Sequence, residues 1–220
     1  MNRSDILRTL TLAGGIAAAT VMQTKTAQAE DLQKITVAGG CFWCVESDFE
    51  SVDGVSEVIS GYTGGTTENP DYRNVTGGSS GHYEAVEIQF DRDQITERQI
   101  YDLFFRSIDP LDAGGQFCDR GDSYRTAIFT ANPTQLEAAE AAKAAAETEL
   151  DQSVVTPILE LATFYEAEGY HQNYYRGEQR IVTRRGIKIQ SDAYAFYRSA
   201  CGRDQRVEEI WGSDAPFIKH

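Results

Sequence analysis

Beside Cys41 and Cys44, the 220 residues hold no second closely spaced pair of cysteines, and they hold only three histidines. A structural zinc site needs two such cysteine knuckles, or one knuckle with paired histidines. His82 and His171 stand apart, so no metal ligands are expected. Cationic residues are also scarce, 20 Lys and Arg against 34 Asp and Glu, for a formal charge of −14. A chain of that sign repels nucleic acid and anionic lipid, so neither nucleic acid nor membrane is expected as a partner. The charge serves solubility and names no partner of its own. No internal repeat and no low-complexity linker interrupts the sequence, and no long apolar run follows residue 29. Repeat arrays and a later membrane-spanning helix are thereby excluded. At 41% hydrophobic residues the chain is not disordered in bulk, and its length suits one domain with a real core.

The first residues read as an address. Arg3 and Arg8 precede the run LTLAGGIAAATVM, and Ala27-Gln28-Ala29 closes it. A charged stretch, a short apolar stretch and an A-x-A site make a cleavable signal peptide over 1–29. An uncleaved anchor or a buried helix is the other reading. Cleavage removes three cationic residues and one acid, moving the formal charge from −14 to −16. The expectation is a soluble, exported protein of a bacterial periplasm. All four cysteines (41, 44, 118 and 201) remain, and export permits disulfides among them. A domain of this size does not need such staples, so redox chemistry is a fair alternative reading.

Strand patterns are expected at 34–39, 56–62, 83–91, 124–130 and 154–164, the last holding a proline and therefore an edge or a bulge. Helical spacing is expected at 42–52, 96–107, 133–150, 166–179 and 193–211. Asn132-Pro133-Thr134-Gln135 supplies an N-cap, a first-turn proline and a Gln three residues after the cap. Few clean βαβ spacings occur. The expected fold is α+β: a two-layer αβ sandwich around a mainly antiparallel or mixed sheet, with long active-site loops and a C-terminal helical extension. The domain is placed at 30–190, and 191–220 forms the extension carrying Cys201. Long loops at about 64–81 and 108–123 are functional candidates, since loops of that length seldom survive in a compact domain otherwise.

VAGGCFWC, residues 37–44, carries the chemistry. A strand, a CxxC and a helix also make the thioredoxin context, and Val155-Thr156-Pro157 imitates the segment that faces such a dithiol. Against that reading, no βαβ units surround the motif, and Phe42-Trp43 is a bulky pair between cysteines that protein disulfides must reach. A lone nucleophile suits the sequence better. A cysteine just ahead of a helix feels the positive end of its dipole, which favours thiolate. Phe42 and Trp43 can line an apolar pocket beside it, or merely fill the core.

GCFWCVE (40–46), GYTGG (61–65), GHYEAVEIQFD (81–91), DRGDSYRTAIF (119–129) and YHQNYY (170–175) together resemble the A-type peptide methionine sulfoxide reductases. Each block is weak, but five in order are specific. The resemblance implies reduction of methionine S-sulfoxide, protein-bound or free. Cys41 would be the nucleophile, Glu84 the acid, Tyr62 and Tyr124 the oxygen-binding phenols, and Asp119 a substrate-positioning group. Phe42 and Trp43 would form the methyl pocket, with His171 and Gln172 in support. Glu84 shares a strand face with Val86, Ile88 and Phe90, so its carboxyl should be desolvated and hard to ionise, while Glu87 faces the other way. A sulfenic acid on Cys41 would condense with a second thiol and be recycled by a thioredoxin-like reductant, with no other cofactor. Cys44 stands where the family usually has Gly, and 193–212 replaces its glycine-rich tail. The resolving thiol is therefore open among Cys201, Cys118 and Cys44, in that order. A monomer is expected.

Overall fold

A computed structural model describes residues 32–218. The expected signal peptide lies outside the described residues. The strands are β1 (Leu32–Gly39), β2 (Val55–Thr63), β3 (Tyr83–Asp91), β4 (Gly115–Gln116), β5 (Asp119–Arg120), β6 (Thr126–Thr130), β7 (Ile158–Glu160), β8 (Tyr165–Glu166), β9 (Arg180–Thr183) and β10 (Gly186–Ile189). The helices are α1 (Phe42–Phe49), α2 (Tyr72–Thr76), α3 (Glu97–Phe105), α4 (Pro133–Leu150), α5 (Gln190–Cys201) and α6 (Arg203–Trp211).

Six strands form one sheet in the order β7-β6-β1-β3-β2-β8, antiparallel throughout except for the β6–β7 pair. On one face, Val37, Val86 and Ile88 pack against Phe42, Val45 and Phe49 of α1, Phe104 of α3 and Ala139 of α4. Burying each of the larger of these side chains stabilises by about 1.5–3 kcal/mol. The opposite face is thinner: Ala38, Ala85, Ala127 and Phe129 are covered by Leu159, Leu161 and Phe164. This is the α+β sandwich that the patterning predicts. Capping sets the helix starts. Asn132 accepts from the Gln135 N–H at 3.0 Å with Pro133 in the first turn, and Thr96 with Gln99 closes a capping box ahead of α3.

Three expected elements differ. The strand expected over 154–164 is ordered as β only at Ile158–Glu160: Pro157 has no N–H to give a ladder, and the Thr156 hydroxyl pairs with that of Thr126 at 2.8 Å. The helix expected over 166–179 is instead a run of turns with a short 3₁₀ turn at Tyr174–Arg176. Side chains hold this run in place of helical bonds. Gln172 brackets the Ser60 backbone at 2.9 Å on both its N–H and its C=O, and the Glu46 carboxylate takes the Asn173 N–H at 2.6 Å. The C-terminal helix is two helices, broken at Gly202, whose φ of 72° ends α5. A β9–β10 hairpin that the pattern did not suggest precedes them.

The extension packs into the domain core. Val207, Trp211 and Phe217 join the main hydrophobic cluster. Arg198 donates to Asp48 of α1 at 2.6 Å, and Arg203 donates to the carbonyls of Gly39 at 3.2 Å and Ser107 at 2.8 Å. Arg203 therefore clamps the end of β1, immediately before the CxxC motif.

Candidate active site

β1 delivers the chain to the motif, and a sharp turn redirects it. Gly40 has φ +83°, and a Cβ there would lie 2.6 Å from Gln116 Cβ, so glycine is required twice over. Cys41 then occupies the N-cap of α1, its carbonyl accepting from Cys44 N–H at 3.1 Å. Glu84 lies near the start of β3, two positions before Val86 on the same face, and is fully enclosed. One Glu84 oxygen, Oε2, accepts the Phe42 N–H at 3.1 Å, while Oε1 has no partner among the described residues.

Cys41, Phe42, Trp43, Tyr72, Glu84, Asp119, Tyr124 and Tyr197 line one cavity of about 70 Å³. That is room for about two waters, so only the end group of a side chain fits. Burial raises the Glu84 pKa to about 8, with the Phe42 N–H pulling against it and the Asp119 charge adding to it. Glu84 is thus protonated at neutral pH and is able to act as an acid. Burial likewise pushes the Asp119 carboxyl up. The O–H of Tyr197, on α5, donates to Asp119.

Cys41 departs from expectation. Its thiol is pushed well up, first by burial and next by its hydrogen bond to Cys44, with Glu84 and Asp119 adding in the same direction. One eight-residue helix does not outweigh enclosure beside two carboxyls. Cys44 moves the other way, lowered by the hydrogen bond from Cys41 and by the nearby Arg203 and Arg198. Within the pair, the proton is therefore held more firmly on Cys41 than on Cys44.

The aromatic wall has its own support. Trp43 stacks on Tyr174, with centroids 3.8 Å apart and planes 7° from parallel, and donates its indole N–H to His171 Nδ1 at 3.2 Å. Desolvation lowers the His171 pKa to about 4, so it is a neutral acceptor that fixes Trp43 and carries no charge into the cavity. Gln172 is a backbone clamp on β2. Both stand in the supporting position expected of them.

Tyr62 is a correction. It is completely buried behind Phe42 and donates to Glu168 at 2.9 Å, so it does not reach the cavity. Tyr72 takes that place, on the short helix α2 inside the glycine-rich loop. Glu168 accepts its N–H at 3.0 Å and thereby links it to Tyr62. Tyr124 stands beside both Tyr72 and Glu84. Tyr197 is a further lining residue missed in the sequence, because the pattern placed it on an outlying helix.

Cys118 and Cys201 are joined in a disulfide, and Cys41 and Cys44 are free. Both disulfide sulfurs lie about 4 Å from the Asp119 carboxylate, at 4.0 and 3.9 Å. These three residues are also the one grouping of potential metal ligands among the described residues, and the disulfide already engages two of them. The dithiol reading of Cys41/Cys44 on a thioredoxin fold has no support in the sheet, where β1 and both of its neighbours run antiparallel.

The family profile described as peptide methionine sulfoxide reductase matches residues 33–207. A peptide methionine sulfoxide reductase MsrA 2 of Rhizobium meliloti is 44% identical over 189 residues, covering 86% of this chain and 88% of that one. The MsrA of Bacillus subtilis is 46% identical over 180 residues, covering 81% and 95%. Among solved structures, methionine sulfoxide reductase A of Corynebacterium diphtheriae is similar at 31% identity and TM-score 0.60, over 68% of this chain and 76% of that one. Reduced Mxr1 of Saccharomyces cerevisiae is similar at 29% identity and TM-score 0.63, over 66% and 84%.

Proposed function

The chain belongs to the peptide methionine sulfoxide reductase family and reduces methionine (S)-sulfoxide, and from that premise we propose how its own residues divide the work. The observation that carries the reading is the shared cavity of Cys41 and a Glu84 that is protonated near neutral pH. A sulfoxide sulfur accepts a thiol only once its oxygen is protonated or strongly hydrogen-bonded. Glu84 supplies that proton. Tyr72 and Tyr124 donate to the oxygen without bringing full charge. Phe42 and Trp43 hold the S-methyl group, and Asp119 positions the rest of the residue. Cys41 attacks the sulfur, and its thiol proton replaces the one that Glu84 gives to the oxygen. The products are methionine and a sulfenic acid on Cys41, with every atom accounted for.

Cys44 is the thiol in contact with that sulfenic acid, so it moves from last to first among the resolving candidates. Condensation forms a Cys41–Cys44 disulfide and one water. Exchange with the reduced Cys118/Cys201 dithiol then restores the inner pair and leaves the outer disulfide, the state seen here. A thioredoxin-like dithiol protein reduces the outer pair. No prosthetic group enters any step, because the dithiol supplies the electrons. Substrates are oxidised methionine in proteins and as the free amino acid. The Arg3/Arg8 stretch, the apolar run and the A-x-A site support export to the periplasm.

The test is turnover of defined S and R methionine sulfoxides with dithiothreitol. The S epimer should be reduced and the R epimer left, with Cys41→Ser inactive and Glu84→Ala crippled. Failure on both epimers alongside reduction of insulin disulfides would return the motif to a dithiol oxidoreductase.

A further inference from the structure

A second cavity, about 710 Å³, opens between the β9–β10 hairpin and α5. Its lining includes both disulfide cysteines, and it meets the catalytic cavity only through Tyr197. We propose that this cavity is the docking site of the thiol protein that reopens Cys118–Cys201, that the partner carries acidic residues around its thiol, and that Cys118 is the sulfur it attacks. The inference rests on the reductase reading above and deepens it.

Access argues first. A reductant must touch one of the two sulfurs, and both border this mouth. Cys118 is exposed and Cys201 only half so. Charge argues second. In a chain of formal charge −14, the lining of this cavity offers Arg184, Arg185 and Lys188 against the single acid Asp192. Arg184, Arg185 and Lys188 are exposed, and among the described residues none of them has an ion-pair partner that would spend its charge. Such a patch attracts an acidic partner and speeds its encounter. Surface chemistry argues third. Phe196 is 51% exposed within the cavity, Ile187 is 64% exposed on the hairpin, and Arg185 lies over the Phe196 ring at 3.9 Å. Exposed aromatic and aliphatic surface beside Arg is the composition of a protein-binding patch rather than of a site for a small dithiol.

Leaving-group stabilisation selects the sulfur. The Cys118 N–H donates to Cys201 Sγ at 3.1 Å. When a partner thiolate attacks Cys118 Sγ, the bond to Cys201 breaks and its electron pair settles on Cys201, where that N–H already points. Cys201 then takes up a proton. A mixed disulfide joins the partner to Cys118. The partner's second thiol attacks its own bonded sulfur and releases Cys118 as a thiol. The sum is two electrons and two protons passed from the partner dithiol to Cys118 and Cys201.

The experiment mixes the oxidised full chain with an acidic thioredoxin whose second active-site cysteine is replaced by serine, so that the mixed disulfide accumulates. Peptide mapping should place the thioredoxin on Cys118. The rate of capture should fall with added salt, and should drop about tenfold or more in the Arg184→Glu, Arg185→Glu, Lys188→Glu triple variant. Dithiothreitol, which is too small and too neutral to use the patch, should open the disulfide of both chains equally. Capture on Cys201, or a rate indifferent to both salt and the triple variant, overturns the proposal. The salt series on the unaltered chain decides the point even if the variant folds poorly. Turnover of methionine (S)-sulfoxide with dithiothreitol runs beside it. If that turnover fails, the reductase reading falls, whereas failed or misplaced capture with intact turnover rejects the docking site alone.

Discussion

Cys41 and Cys44 are 6% and 2% exposed, unpaired, and held by α1 beneath the edge of a cavity of about 70 Å³. Cys118 and Cys201 are joined at the surface, one on an exposed loop and the other at the end of α5, beside a cavity ten times larger. The first pair is built to admit one end group and exclude water. The second is built to be reached by another macromolecule. One enclosure cannot serve both purposes. A pocket tight enough to raise the Glu84 pKa to about 8 is too small for a protein thiol to enter. Separating the pairs lets the inner one stay dry while oxidation is passed outward.

The widest gap between the two regions should appear in the first turnover. Glu84→Gln keeps the shape of the side chain but removes the transferable proton, so single-turnover reduction should fall about 10²–10⁴-fold. Cys118→Ser should leave that turnover unchanged and halt only recycling by a protein reductant. Rapid-quench measurement of methionine formed per enzyme checks both, and an equal slowing by Cys118→Ser would end the separation argued above. The pH dependence has the same root. Because the Glu84 pKa is raised, the active acid is present below about 8, and the first turnover should decline as pH rises through that value. The same shift makes the folded state hold its proton more firmly than the unfolded chain. This stabilisation is complete below the ordinary Glu range and is lost as pH rises through about 8.

Asp48 ties the two regions together. It lies on α1, fully buried, with Arg198 at 2.6 Å and Arg203 at 3.7 Å, and these arginines flank Cys201 in sequence. Asp48→Ala leaves the buried Arg203 without a carboxylate and Arg198 with only Asp204, at 2.6 Å, and should cost about 3–5 kcal/mol by urea unfolding. In the fraction that remains folded, both the first turnover and the opening of the outer disulfide should slow, because α5 and α6 lose their hold on α1. A variant equally destabilised by a core cavity in α3, such as Ile100→Ala, should spare both rates.

The parts legible in the sequence were those governed by a period or by a motif. Glu84 was placed correctly because β3 alternates: Val86, Ile88 and Phe90 are all buried on its face, while Glu87 on the other face pairs with Lys34 at 2.8 Å. The N-cap of α4 was legible because Asn, Pro and Gln each have a local reason to be there. Tyr72 was not legible. It sits on a five-residue helix within a loop of Gly, Asn and Pro, too short to show periodicity, and Glu168, 96 residues away, fixes it. The turns after Glu166 imitate a helix in composition, but long-range side-chain bonds to Ser60 and Glu46 decide their path. The Cys118–Cys201 pairing spans 83 residues and depends on where α5 is docked, which no spacing encodes.

The smaller contrasts concern the two tyrosines. Tyr72→Phe removes a donor proposed to face the sulfoxide oxygen as it gains negative charge, a hydrogen bond of about 1.5–3 kcal/mol, and so should cost about 10–100-fold in kcat with little change in KM. Tyr62→Phe removes a hydroxyl that donates to Glu168, and Glu168 still accepts the Tyr72 N–H at 3.0 Å. Its cost should appear as about 0.5–1.5 kcal/mol of stability, with kcat changed by no more than a few-fold. Steady-state kinetics of both variants against methionine (S)-sulfoxide decides the order. If Tyr62→Phe were the more damaging, the orientation that Glu168 imposes on α2 would matter more than the phenol facing the substrate. The line between the cavity and its support would then run through Glu168 rather than in front of it.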